Sequence, residues 1–185
     1  MNNINDEILE LTKKFNYKIN GIVKFHEIDA FQVVHNLQYL YWTEIARTEY
    51  CKHIGINTIS DFFQRQNFNN NLDFGDDLKN ENGFDSFILL LHNEVRYFSS
   101  ATFDDEYSIY TRVSKLGKTS ITFEHLIIKL NKKVNNLEIE EIPLCINTAV
   151  NVYVDRNRNP TPILDAIREK IINFEKENLV FKRIG

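Results

Sequence analysis

Residues 22–47 read IVKFHEIDAFQVVHNLQYLYWTEIAR, and the reading of this stretch decides the fold. It begins as a β-type segment, with Ile22, Val23 and Phe25 ahead of a charged end. It turns through Asp29 and Ala30 and becomes a helix from about Asn36. Leu37, Leu40, Tyr41, Glu44, Ile45 and Thr48 recur at i, i+3, i+4, i+7, i+8 and i+11, one face of a 3.6-residue period. That face is apolar except for Glu44 and Thr48. A helix of ~16 residues is ~24 Å long, close to the width of five strands at ~4.8 Å spacing. A carboxylate between a strand and a helix N-terminus brings an acid and unpaired N–H donors to one spot.

Outward from this stretch, residues 4–15 read as a short amphipathic helix with Asn5 or Asp6 as its cap. Residues 17–28 read as a first strand, with Asn20 and Gly21 marking a bulge or a bend. On the other side, Gly55 ends the long helix and residues 60–63 suggest a second, short one. Residues 67–84 form a polar stretch, long for a loop in one domain. From residue 86 the pattern turns to β, in runs 86–99, 106–116, 119–132 and 141–155. Turns at Asp104-Asp105, Gly117-Lys118 and Asn135-Asn136 punctuate them, and links this short make antiparallel neighbours, a four-strand meander. Pro160 and Pro162 stop the last strand, residues 163–176 form a closing helix, and 180–184 form a tail strand. One strand, a helix, then four strands is an α+β plan with the helix on one face.

The chain of 185 residues is read as one domain, with a core at about 17–160 and a C-terminal helical extension at 163–185. A net charge of −4 with no basic stripe argues against nucleic acid as a partner. Cys51 and Cys145 share no motif and read as two buried thiols. The N-terminus lacks a basic region followed by an apolar one, and the longest apolar run, residues 87–91, is far too short to span a bilayer. The expectation is a soluble cytoplasmic protein with no membrane span.

The run Asp29-Ala30-Phe31-Gln32-Val33-Val34-His35-Asn36, followed by Tyr39-Leu40 and Glu44-Ile45-Ala46-Arg47, resembles the signature of hotdog-fold thioesterases. The nearest subgroup is the 4-hydroxybenzoyl-CoA thioesterase-like acyl-CoA thioesterases. Val95-Arg96-Tyr97, the run from Ala101 to Glu106, the run from Lys115 to Ser120 and Val152-Tyr153-Val154-Asp155 continue the resemblance in order. It implies a hotdog fold: one long central helix on a five-stranded antiparallel sheet, here with extra N- and C-terminal helices. It also implies a substrate, an acyl-CoA or acyl-carrier-protein thioester, and a homodimer or homotetramer that covers the sheet edges.

Within that resemblance Asp29 is the catalytic carboxylate, either attacking the thioester or activating water. His35 suits neutral-pH base catalysis chemically, whereas the family pattern implies packing or substrate contact there. The backbone N–H of Asn36, at the first turn of the helix, is the oxyanion donor. Val34, Tyr39, Glu44 and Arg47 belong to the substrate-binding surface, the last two as pocket wall or dimer-interface pair, and Tyr39, Trp42 and Phe31 shape the acyl pocket. Glu44 and Arg47, three apart, pair across one turn, and Glu44 is the reserve acid. Lys115, Lys118, Arg156 and Arg158 are candidates for the nucleotide end of the substrate.

Plant acyl-carrier-protein thioesterases carry a histidine six residues before the tyrosine matching Tyr39, where this chain has Val33, so their mechanism does not carry over. The family usually has glycine where Gln32 stands, a position of unusual φ or close approach. His26, His53, His92 and His125 lack metal-ligand spacing, and no metal or other cofactor is expected. Two rival readings share the fold: a hydratase or dehydratase of enoyl thioesters, and an acyl-thioester-binding protein without catalysis.

Overall fold

The computed structural model describes residues 4–56, 64–65, 84–132 and 139–181. In chain order these form α1 (Ile4–Leu11), β1 (Tyr17–Ile22), α2 (Asn36–His53), β2 (Gln64–Arg65), β3 (Phe84–Tyr97) and β4 (Glu106–Leu116). There follow β5 (Ser120–Lys132), β6 (Ile139–Asp155), α3 (Asp165–Glu175) and β7 (Val180–Phe181). The long strands make one antiparallel sheet in the order β1-β4-β5-β6-β3; β2 extends it beside β3, and β7 lies parallel to β4. With α2 packed on it, this is the hotdog plan that the resemblance implies. The expected helix at 60–63 and the polar stretch up to residue 83 lie outside the described residues.

Two expectations are corrected. The four late strands are not a simple meander, because β3 pairs with β6 and not with β4. Residues 98–105 carry the chain across the end of the sheet, so that β4 enters between β1 and β5. The first strand ends at Ile22, and a 3₁₀ turn, Phe25–Glu27, takes up the residues expected to extend it. Asn20 and Gly21 pair regularly with Ser108 and Tyr107, with no bulge. Gly21 is needed for another reason: a Cβ there would collide with the Tyr107 ring.

The helix face that enters the core also differs from the periodic stripe. Tyr39, Trp42, Thr43, Ala46, Tyr50 and Cys51 are buried, while Leu37, Tyr41 and Ile45 are exposed. Both faces of α2 are apolar, so period alone does not choose between them. Trp42 lies flat on Tyr107, with ring centroids 4.1 Å apart. Truncating such a residue to alanine costs about 3–5 kcal/mol.

Among the described residues three clusters make the core. Toward the C-terminal end of α2, Tyr50, Cys51 and Ile56 pack with Val113, Phe123 and Tyr153, and α3 closes over them with Ile167 and Ile171. Toward its N-terminal end, Tyr39, Trp42 and Ala46 pack on Ile109, Ile127 and Leu144. The opposite sheet face is covered by α1, with Ile8 against Leu126 and Ile128. Cys51 and Cys145 are buried free thiols, each pushed up to about 12 by burial. Among the described residues no helix is long and apolar enough to cross a membrane.

Candidate active site

Between β1 and α2 the chain folds into a tight hairpin. Asp29 N–H donates to Val33 O at 2.9 Å, and Gln32 N–H donates to Asp29 O at 3.0 Å. The side chain of Asp29 accepts from Phe31 N–H at 2.8 Å, an Asx turn. Closing this turn places Gln32 at φ 64, in the left-handed region, which accounts for glycine at that position in the family pattern. The segment then docks on the 98–105 crossover, with Val34 N–H donating to Ala101 O at 2.9 Å and Val33 bridged to Thr102.

Asp29 is half-buried in the wall of a cavity of about 790 Å³. Phe25, Ile28, Phe31, Val33 and Phe103 give it an apolar lining, and Gln32 and Thr102 complete it. Phe25 and Phe103 meet edge to face at 6.1 Å, and Phe31 is 87% exposed. A carboxylate in an apolar, solvent-open cleft suits an ester or thioester carbonyl with a hydrophobic acyl group.

Beside this hairpin begins α2, with His35 as its N-cap. Its Nδ1 accepts from Leu37 N–H at 3.2 Å, and its carbonyl accepts from Gln38 N–H at 2.8 Å. In the neutral ring the other nitrogen then carries the proton, so the imidazole is occupied as a cap and offers no second acceptor. With Leu37 and Gln38 spent in this way, the N–H of Asn36 is the first-turn donor left without an acceptor among the described residues. Tyr97 Oη donates to Asn36 O at 3.1 Å.

The remaining expected site residues fall elsewhere. Val34 and Tyr39 are buried and do not line the cavity. Tyr39 Oη accepts from Ala101 N–H at 3.2 Å, and burial pushes its phenol up to about 12. Trp42 is likewise in the core, and of these aromatic residues Phe31 alone lines the cavity. Glu44 is exposed and pairs with Arg47, two turns along α2. Arg47 also donates to Asn151 Oδ1 at 2.9 Å, pinning α2 to β6. Near this guanidinium lies His125, fully buried and hydrogen-bonded to Thr111 Oγ1 at 3.0 Å. Burial first, then the Arg47 charge, pushes His125 down to about 3, so it is neutral at physiological pH. Lys115, Lys118, Arg156 and Arg158 are exposed and line neither this cavity nor a second one of about 840 Å³ bounded by Gly21, Val23, Phe25, Phe103 and Tyr107.

One residue absent from the sequence expectations stands at the root of the hairpin. Glu27 is only 6% exposed. It accepts from Lys24 N–H at 2.7 Å, Gln38 Nε2 at 3.1 Å and Trp42 Nε1 at 2.9 Å. Its sequence signal is faint, an acid closing the 3₁₀ turn, because the partners that make it matter lie 11 and 15 residues later.

Comparison with known proteins places this geometry in context. A family model described as the thioesterase-like superfamily matches residues 23–171. The acyl-acyl carrier protein thioesterase ATL3 of Arabidopsis thaliana, a chloroplastic protein, is 23% identical over 156 residues, covering 84% of this chain and 67% of that protein. A Thermus thermophilus thioesterase solved with coenzyme A and zinc superposes with a TM-score of 0.63 at 21% identity, covering 88% of this chain and 97% of the other. The 1,4-dihydroxy-2-naphthoyl-CoA thioesterase Slr0204 from Synechocystis gives a TM-score of 0.62 at 12% identity, over 85% and 96% of the two chains. At these identities the structural likenesses speak to the fold.

Proposed function

The chain belongs to the thioesterase-like superfamily and is a thioester hydrolase, and on that premise we propose that it cleaves acyl-CoA or acyl-carrier-protein thioesters in the Asp29 cavity. The observation that carries the reading is the Asp29 carboxylate in the wall of an apolar cleft of about 790 Å³; the Asn36 N–H, at the start of α2 seven residues on, is the oxyanion donor we assign to it. Acyl carbon bound beside Asp29 is attacked there, either by the carboxylate or by water that the carboxylate deprotonates. The carbonyl oxygen takes up negative charge facing Asn36 N–H; one such donor contributes roughly 10²–10³ in rate. The C–S bond then breaks, the thiolate leaves and is protonated, and the acid is released. On the anhydride route, water cleaves the intermediate in a second step. His35 serves this site by capping α2, and Val34 and Tyr39 support it from behind through Ala101.

A second copy of the chain completes the assembly in this reading. Beyond Ser86, which pairs with Gln64, the outer edge of β3 has no strand partner among the described residues. Leu90, Leu91 and Tyr97 are exposed along it, and Leu37, Tyr41 and Ile45 are exposed on α2. An apolar strand edge beside an apolar helix stripe suits self-pairing. Glu44 and Arg47 lie on the margin of that stripe. Buried free thiols fit a reducing compartment such as the cytoplasm.

The decisive experiment is thiol release from a panel of short, long and aromatic acyl-CoA and acyl-carrier-protein thioesters, with wild type and Asp29→Asn. The expected result is turnover by the wild type and a loss of at least ~10²-fold in the variant, with the fold intact. Equal rates for the two proteins would remove Asp29 from the chemistry. Water addition to an enoyl-CoA without thiol release would assign a hydratase instead, and binding without any turnover an acyl-thioester-binding protein.

A further inference from the structure

We propose that Glu27 is a positioning residue for this reaction: its buried carboxylate locks the Asp29 hairpin to the first two turns of α2. The proposal rests on the thioesterase reading above and deepens it. Glu27 sits two residues before Asp29, so its backbone sets where the hairpin starts. Its carbonyl accepts from His35 N–H at 3.0 Å, closing the hairpin at the N-cap. Its carboxylate reaches past the cap to Gln38 and Trp42, one turn apart on α2, while its second oxygen holds Lys24 N–H. Trp42 is itself immobilised by stacking on Tyr107. Asp29 and Asn36 N–H, the two groups that must face one carbonyl, are therefore tied to a single side chain.

The choice of residue fits that role. All three partners of the side chain are N–H donors, and an ionised carboxylate is acceptor only. Glutamine would turn an amide N–H toward one of them. Among the described residues no cation pairs with Glu27, so the dipolar donors and the positive end of α2 offset its burial. A group that only filled space here would be apolar at lower cost. The rigid link matters because a displacement of about 1 Å between reacting groups costs on the order of 10² in rate.

The test compares Glu27→Gln and Trp42→Phe with Tyr50→Phe, a control that breaks a buried hydrogen bond at the far end of α2. Acyl-CoA hydrolysis is measured for each at a fixed interval below its own melting midpoint. The expected result is a kcat at least ~10-fold lower for Glu27→Gln with KM within about twofold. Trp42→Phe, which leaves two of the three donors in place, shows a smaller drop in kcat alone. Tyr50→Phe melts earlier with kcat unchanged. A wild-type kcat in Glu27→Gln overturns the proposal, as does a loss no larger than that of Tyr50→Phe at matched stability. If Glu27→Gln does not fold, the Trp42→Phe result decides. Absence of turnover by the wild type across the panel instead overturns the thioesterase reading, and the positioning role with it.

Discussion

The two ends of α2 each meet a buried glutamate, and the surroundings treat them oppositely. At the N-terminal end, Glu27 spends both oxygens on three donors, and a solvent-open cavity begins two residues away. At the C-terminal end, Glu175 is 0% exposed. One oxygen accepts from Tyr50 Oη at 2.5 Å and from Val113 N–H at 2.8 Å, and the other has no partner among the described residues. Burial raises the Glu175 carboxyl above its ordinary value. Taken alone, a buried carboxyl raised in this way is a tempting candidate for catalysis. Yet α3 seals it inside an apolar cluster, and neither cavity is lined by it. The difference teaches that a raised carboxyl without access belongs to folding, whereas the carboxylate proposed for chemistry, Asp29, stands in the wall of an open cleft.

The contrast can be broken most sharply by substituting both acids. Asp29→Asn is expected to lose at least ~10²-fold in hydrolysis with an unshifted melting midpoint. Glu175→Gln should keep full kcat, and any comparable loss there would erase the distinction. Next in size is Tyr50→Phe, which strips a hydrogen bond from an already underserved carboxyl and should cost roughly 1–3 kcal/mol in urea unfolding.

The pH dependence separates the two ends further. Because the folded-state pKa of Glu175 lies above its ordinary value of 4.5, the folded chain keeps a proton that the unfolded chain has released. Its contribution is therefore complete below pH 4.5 and is lost as pH rises toward the raised pKa, at no more than about 1.4 kcal/mol per pH unit. Glu175→Gln, a neutral isostere, should flatten that slope in melting curves taken upward from pH 4.5. His125 works in the other sense: its stabilisation is whole above pH 6.5 and fades as pH falls toward about 3. The smallest effect is at the hairpin itself. Gln32→Gly should raise stability by up to about 1 kcal/mol by relieving the left-handed backbone, read as a higher urea midpoint at constant slope.

Much of the fold was legible in the sequence because it is written in local signals. The helix from Asn36 and the long β-rich runs follow from period and residue type, and α2 was expected within two residues of its observed end at His53. The glycine-like position of Gln32 was marked by the family pattern, which has glycine there, and its φ of 64 shows why. What failed was non-local. The eight residues 98–105 are enough to cross the sheet end, so a short connection did not mean adjacent strands. The buried face of α2 was hidden by apolar residues all round the helix, since Leu37 and Ile45 advertise hydrophobicity without entering this chain's core. At the proposed site, Asp29 and Asn36 were named through the resemblance to hotdog-fold thioesterases, not from local signals alone. Glu27 could not be named, since its importance arises only when Trp42 folds back onto it.

Gly21 illustrates how far such a dependence can reach. The missing side chain leaves a hollow in β1 that the Tyr107 ring fills; the ring backs Trp42, the indole holds Glu27, and Glu27 anchors the hairpin of Asp29. Adding one methyl group at residue 21 would thus jostle a relay of contacts that ends at the pocket without touching any ligand. Selection on hydrolysis would then be felt as an embargo on alanine in an edge strand, where a survey of pocket-lining residues would record only backbone.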